Sequence, residues 1–276
     1  MKKVFALLLA LAMVMALAAC GKKDDGNNNN SDDQQNGGND QQQETTVKTV
    51  TAGKLTMSTN ASFPPYEMVA DDGSFEGIDV EVAAAIAKKL GLELQVDDMG
   101  FDAALQAAQQ GKSDIVMAGV TVTDKRKEVM DFTDSYANGI QVIIVKEGSS
   151  VTLDNMGEGM IGTQAGTTGY IYCSDTPDNG GFGEDHVIAY EDGAAAVQAL
   201  INGQVDCVVI DNAPAQEYVK ANPGLKILDT EFTNEDYAIG VAKGNTELLT
   251  AINNALAELK ADGTLQAIVD KYIPAK

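Results

Sequence analysis

Ala104-Leu105-Gln106-Ala107-Ala108-Gln109-Gln110-Gly111-Lys112-Ser113-Asp114-Ile115-Val116 decides the fold, because it returns without a gap as Ala196 to Val208, 92 residues further on. Identities fall at Ala104/Ala196, Gln106/Gln198, Ala107/Ala199, Gly111/Gly203, Asp114/Asp206 and Val116/Val208. Each copy reads as an amphipathic helix stopped by a glycine just past its last turn, followed directly by a buried strand. Two copies of one helix-turn-strand unit predict two lobes of similar build. Around them short β-rich runs alternate with amphipathic helices, which predicts layered α/β architecture with mostly parallel sheets. Lys54 to Thr59 reads as a strand, Phe75 to Gly77 as the close of a hairpin-like excursion, and Asp79 to Leu90 as a helix. The apolar face of that helix is Ile78, Val82, Ile86 and Leu90, spaced four apart. Leu92 to Val96 follows as strand, Phe101 to Gln110 as helix and Ile115 to Ala118 as strand.

Extending the repeat carries Gly119 onto Asp211, both just beyond the carboxyl end of their strands, where open α/β sheets place ligands. The residues after the first copy, Ala118-Gly119-Val120-Thr121-Val122-Thr123-Asp124-Lys125-Arg126, put an arginine at that strand end. Thr123-Asp124 reads as the cap of a short helix, and hydroxyl, backbone N–H groups and a planar guanidinium would converge on one small carboxylate. The alternative is a capped helix whose Arg126 pairs with Asp124 or Glu128. Asp211 in turn reads as a ligand for an ammonium and as the N-cap of the helix opened by Asp211-Asn212-Ala213-Pro214, two compatible uses. A molecule carrying both an ammonium and a carboxylate would fit between the two strand ends. Ile161 to Gly169 is a further strand, glycine turn and helix start, with amides and hydroxyls able to receive an anion or a polar side chain.

The ends of the chain carry different signals. Lys2 and Lys3, the apolar run Val4 to Met15 and the small-residue site Leu17-Ala18-Ala19-Cys20-Gly21 form an export leader ending in cysteine. The site resembles the lipobox of bacterial lipoproteins, which implies cleavage at residues 1–20 and lipidation of Cys20; an ordinary secretory leader or a membrane anchor is the alternative, though the run is short for a span. Gly21 to Thr46 holds no aliphatic or aromatic residue, so residues 21–46 are expected to form a disordered polar tether. The whole chain has 19 Lys and Arg against 41 Asp and Glu, a net charge of −22, which argues against nucleic acid and against electrostatic adhesion to anionic lipid. Aromatic residues are few and tryptophan is absent, favouring a small polar ligand over a sugar stacked on rings. Cys173 and Cys207 sit in apolar runs and are expected to remain unpaired thiols. No Cys/His spacing suits a metal, and the single histidine, His186, reads as a surface residue.

Several motifs in register now resemble one family, the polar amino-acid-binding lipoproteins of ABC importers, or family-3 solute-binding proteins. They are Asn60-Ala61-Ser62-Phe63-Pro64-Pro65-Tyr66-Glu67, Gly77-Ile78-Asp79-Val80-Glu81-Val82, Ala118 to Arg126, Ala165-Gly166-Thr167-Thr168 and Val209-Ile210-Asp211. The resemblance covers Lys54 to Tyr272. It implies a two-lobed fold of the second periplasmic-binding-protein type, with two mixed sheets flanked by helices. Residues 47–137 and 237–276 would form lobe 1 and 138–236 lobe 2, with hinge crossings near 131–144 and 237–242 and the C-terminal helices, 247–260 and 265–272, packed on lobe 1. It implies that Arg126 grips the ligand α-carboxylate with the Thr121 and Thr168 amides, that the Gly119 carbonyl and Asp211 receive the α-ammonium, and that Phe63 and Phe101 sandwich the rest. Both phenylalanines could instead be core. Asn60 and Gln164 would meet the ligand side chain; some members with cationic ligands carry aspartate at the Asn60 position, so this chain leans toward an uncharged polar side chain such as glutamine. The resemblance further implies a monomer without cofactor, metal or catalytic residue, which passes its amino acid to a membrane permease and is held outside the cell by lipid alone. The rival readings are a cyclic-acid dehydratase on the same fold, with Asp211 or Glu67 as general acid, and a ligand-sensing lipoprotein.

Overall fold

The computed structural model describes residues 47–274. The leader, the polar tether and Cys20 lie outside them. The elements in chain order are β1 Lys54–Thr59, β2 Ser62–Phe63, β3 Glu67–Val69, β4 Phe75–Glu76, α1 Ile78–Lys89, β5 Glu93–Asp98, α2 Phe101–Gln109, β6 Ile115–Val116, α3 Asp124–Val129, β7 Met130–Phe132 and β8 Ala137–Lys146. They continue as β9 Ile161–Gln164, α4 Thr168–Ser174, β10 Val187–Tyr190, α5 Gly193–Asn202, β11 Cys207–Asp211, α6 Asn212–Ala221, β12 Leu225–Ile227, β13 Thr233–Tyr237, β14 Gly240–Ala242, α7 Thr246–Ala261 and α8 Thr264–Tyr272.

These strands build two principal sheets, one per lobe, in the orders β5-β1-β6-β14-β7 and β10-β9-β11-β8-β12, with β13 also paired to β8. The small hairpin sheet β2-β3-β4 stands beside the first. Each principal sheet is mixed rather than mostly parallel. β1 runs parallel to β5 and β6, and β9 parallel to β10 and β11, but the strands next to the lobe crossings, β14 and β7 in one sheet and β8, β12 and β13 in the other, pair antiparallel. Local periodicity reports the βαβ units; it carries no information on strands supplied by a chain that leaves a lobe and returns. The chain passes from the first sheet to the second between β7 and β8, and back between β13 and β14, where only Ala238 and Ile239 intervene.

Burial explains the layers. Ile78, Val82 and Ile86 of α1 pack with Leu248, Ile252 and Leu256 of α7 on one face of the first sheet, while Phe101, Ala104, Leu105 and Ala108 of α2 cover the other. Alternation along β8 does the same for the second: Val142 and Ile144 face the cluster of α5 and α6, and Ile143 and Val145 face that of Cys173, Cys207 and Val209. Leu90 falls outside α1 as its C-cap and is half-buried, and the strand expected over Ile115 to Ala118 ends at Val116. Cys173 and Cys207 are buried, unpaired thiols, each pushed up to about 12 by burial. His186 is half-buried, its Nδ1 3.3 Å from the Gly159 carbonyl.

The repeat survives in the strand register. Met57 and Ser58 pair with Ile115 and Val116, and Ile161 and Gly162 pair with Cys207 and Val208, the repeat-equivalent residues. Both helices end at a left-handed glycine, Gly111 at φ +64° and Gly203 at φ +73°. The repeated aspartate pins the neighbouring strand in each copy: Asp114 accepts from the Thr56 amide at 2.8 Å, and Asp206 from the Met160 amide at 2.8 Å. The shared register also carries Asn60, just past β1, onto Gln164 at the end of β9.

Candidate functional site

The carboxyl ends of β1, β6, β9 and β11 converge on one cleft of about 450 Å³, counting its open mouth. All nine expected ligand residues line it: Asn60, Phe63, Phe101, Gly119, Thr121, Arg126, Gln164, Thr168 and Asp211. The lobes meet across it. Gln164 Nε2 donates to Asn60 Oδ1 at 2.8 Å, Arg126 Nη2 to the Gly166 carbonyl at 3.1 Å, and the Tyr218 hydroxyl to the Ser62 carbonyl at 2.9 Å.

Arg126 does not pair with Asp124 or Glu128. Thr123 caps α3 through the Arg126 amide, Asp124 turns to Lys127 at 3.3 Å, and the guanidinium folds back into the cleft. There Nη1 donates to the Thr121 carbonyl at 2.8 Å, and the charge lies 5.4 Å from the centre of the Phe101 ring. Two of the five guanidinium N–H groups are engaged by these carbonyls and three are left for a further acceptor. Arg126 is 8 % exposed; burial pulls its pKa down, and the charge of Glu235 is the largest influence opposing it. Phe101 thus serves the core of its lobe and the cleft at once. Gly119 has φ +55°, and a Cβ there would stand 2.8 Å from Phe63 Cε1, so the close approach of strand end to ring requires glycine. Its amide donates to Asp79 Oδ2 at 3.0 Å, and the other Asp79 oxygen accepts from the Tyr136 hydroxyl at 2.6 Å.

Across the cleft, Asp211 occupies the N-cap position of α6 by backbone geometry, but its carboxylate makes no capping bond. It accepts instead from the Tyr237 hydroxyl and, at 2.8 Å, from Gln141 Nε2. Burial pushes Asp211 up to about 7, against the lowering effect of the Tyr237 hydrogen bond. The side chain therefore does no capping and faces the cleft.

Three residues that matter here escape motif and spacing arguments as site partners, and a fourth, Glu67, is expected in the cleft only as the general acid of the rival reading. Gln141, Tyr237 and Glu235 carry no motif of their own, although each is a polar group inside an apolar or alternating run. Glu67 follows Phe63 by one turn of hairpin, lines the same cleft and is 0 % exposed, and neither of its carboxylate oxygens meets a protein donor. Burial raises its pKa well above the carboxylate range, helped by the charge of Asp79 and by a hydrogen bond between the two carboxyl groups in which Glu67 keeps the proton. A buried acid pair of this kind is held by that shared proton. Among the described residues no group of His, Cys, Asp and Glu has the arrangement of a metal site, and no helix is long and apolar enough to cross a membrane.

Two lobes joined by two crossings, closing on a cleft with a cation on one wall and an acid on the other, define a binding protein that encloses its ligand. The chain belongs to the bacterial extracellular solute-binding proteins, family 3, whose model matches residues 55–275. It is similar to the L-cystine-binding protein TcyJ of Escherichia coli (strain K12), 32% identical over 81% of this chain and 84% of the relative. It is also similar to ABC transporter arginine-binding protein 1 of the same organism, 31% identical over 81% of this chain and 92% of the relative. Among solved structures, an ancestral arginine-binding protein bound to glutamine superposes with a TM-score of 0.75, 40% identical over 82% of this chain and 100% of that one. The family consists of solute-binding proteins, not enzymes, and this overturns the dehydratase reading of Asp211 and Glu67.

Proposed function

We propose that this protein captures a polar amino acid, best one with a cationic side chain, between its closing lobes and hands it to an ABC transporter permease. The α-carboxylate docks on Arg126 beside Thr121, with Thr168 arriving from the other lobe. The α-ammonium meets Asp211 and the Gly119 carbonyl, and Phe63 and Phe101 flank the side chain. Lobe 1 receives the ligand first. Contacts from lobe 2 exist only in the closed form, so the ligand shifts the open/closed equilibrium by that differential affinity. Residues 133–136 and 238–239 act as the hinge. Residues 1–20 are removed on export, Cys20 carries lipid, and residues 21–46 tether the monomeric binding domain to the outer face of the membrane.

The observation that bears on the choice of side chain is Glu67, fully buried in the cleft wall, its carboxyl held against that of Asp79 and meeting no other protein donor. A guanidinium or ammonium reaching the pair would replace the shared proton and stabilise the charged form of Glu67. The neutral Asn60 argues the other way, for glutamine, and its bond to Gln164 offers an amide pair to a neutral side chain. A relative that binds arginine and an ancestral arginine-binding protein bound to glutamine make both ligands reasonable for this scaffold. Thermal denaturation of the purified chain against the twenty amino acids decides between them, since a ligand of the folded state raises the melting temperature with the logarithm of its excess. Arginine or lysine is expected to give the largest shift, and Glu67→Gln to lose that preference in favour of glutamine. A wild-type shift by glutamine alone, unchanged in Glu67→Gln, refutes the cationic assignment.

A further inference from the structure

Glu235 lies on β13, two residues before the return crossing, 6 % exposed and outside every motif that points to the cleft. Its Oε2 accepts the Thr121 hydroxyl at 2.8 Å and Gln141 Nε2 at 3.2 Å. The same Gln141 nitrogen donates to Asp211 Oδ2 at 2.8 Å. An amide nitrogen has two hydrogens, so Gln141 divides them between two carboxylates; the opposite amide orientation would aim its oxygen at both acids. Thr121 has one hydroxyl hydrogen, and it goes to Glu235. The Thr168 hydroxyl of α4 stands 3.5 Å from that of Thr121 across the cleft. Backbone bonds hold this acid at the crossing: the Val122 amide donates to the Asp236 carbonyl at 3.0 Å, and the Ala238 amide to the Val120 carbonyl at 3.1 Å.

We propose that Glu235 is a positioning residue for both ends of the ligand site. It reaches the carboxylate end through Thr121 and, by its charge, Arg126; it reaches the ammonium end through Gln141 and Asp211. It touches neither end of the ligand, and the inference rests on the zwitterion orientation proposed above. Because the two ends share one acceptor, they are organised before the ligand arrives and respond together when either partner is lost.

The test is a double-mutant cycle on the full chain, with the best amino acid from the thermal screen as probe, calorimetry for affinity and stopped-flow fluorescence for dissociation. Glu235→Gln, which keeps shape and removes charge, is expected to weaken binding about tenfold or more and to speed dissociation. Thr121→Val removes the hydroxyl that Glu235 holds. In that background Glu235→Gln should cost markedly less affinity than in the wild type, while urea unfolding of each variant stays close to that of the wild type, which a merely structural role would not allow. Gln141→Met, which leaves Glu235 in place and cuts its link to Asp211, should weaken binding too, and it keeps the proposal testable if Glu235→Gln does not fold. Wild-type affinity in Glu235→Gln or in Gln141→Met, or losses that simply multiply along the cycle, overturn the proposal. A wild-type protein that binds no amino acid overturns the proposed function as well, whereas wild-type binding with an unaffected Glu235→Gln overturns this inference alone.

Discussion

The two copies of the helix-turn-strand unit do the same structural work and opposite chemical work. In both, a left-handed glycine ends the helix, an aspartate pins the next strand and the register of the parallel pair is identical. At the equivalent positions Gly119, three residues past β6, and Asp211, the last residue of β11, they diverge: the first carries no side chain and has Arg126 folded back beside it, and the second is an acid. A near-symmetric scaffold thereby presents a cation and an acid from opposite walls. The difference teaches that the repeat positions the site, while a few unrepeated residues give it polarity, and a zwitterion is the small ligand matching that polarity.

Breaking the asymmetry on its cationic side should have the largest effect. Arg126→Ala is expected to abolish amino-acid binding in calorimetry while far-UV and near-UV circular dichroism stay those of the wild type. Removal of a charge-assisted, bidentate partner for a carboxylate leaves that carboxylate desolvated and unpaired.

The acidic side is sharpened by pH. With Asp211 up at about 7 in the free protein, an ammonium that prefers the ionised carboxylate binds more tightly as pH rises through 7, and binding below it releases a proton. The stability of the free protein should move the opposite way. The folded pKa lies above the unfolded one, about 3.9, so the stabilising contribution of Asp211 is present in full below about pH 4 and is lost as pH rises toward 7. Asp211→Asn is expected to flatten both profiles, read by calorimetry in buffers of different ionisation enthalpy and by denaturant melts. An unchanged affinity profile in the variant would place the titrating group elsewhere.

The smallest effect compares the two pinning aspartates. Asp114 is 4 % exposed and accepts from the Val50 and Thr56 amides and the Thr56 hydroxyl, whereas Asp206 is exposed and holds the Met160 amide. Asp114→Asn should therefore cost about 2 kcal/mol in urea unfolding and Asp206→Asn clearly less. Equal losses would mean that the copies are pinned alike after all.

Much of this was legible in the chain because repeats and periodicity are local. The paired units, the glycine stops and the two strand ends carrying Gly119 and Asp211 all follow from residues close in sequence. All nine expected ligand residues line one cleft because their motifs fall at strand ends, where topology forces convergence. What local pattern could not give is what the crossings bring together. The division of Gln141 between Asp211 and Glu235 and the Tyr237 bond to Asp211 join residues 26 to 94 positions apart, and the antiparallel strands of the two principal sheets pair residues farther apart still, such as Val241 with Ile115. Glu67 stood in a recognised motif, but its significance lies in its burial against the carboxyl of Asp79, and only packing reveals that.

The most direct test of the polarity of the cleft is calorimetric titration of the wild-type chain with arginine, with agmatine, which lacks the α-carboxylate, and with the arginine analogue lacking the α-ammonium. Arginine is expected to bind with a Kd in the micromolar range or tighter, about −8 kcal/mol or better. Agmatine should show no measurable binding, and the deaminated analogue should bind far more weakly than arginine. Either analogue binding as tightly as arginine would contradict a site built from a cation on one lobe and an acid on the other.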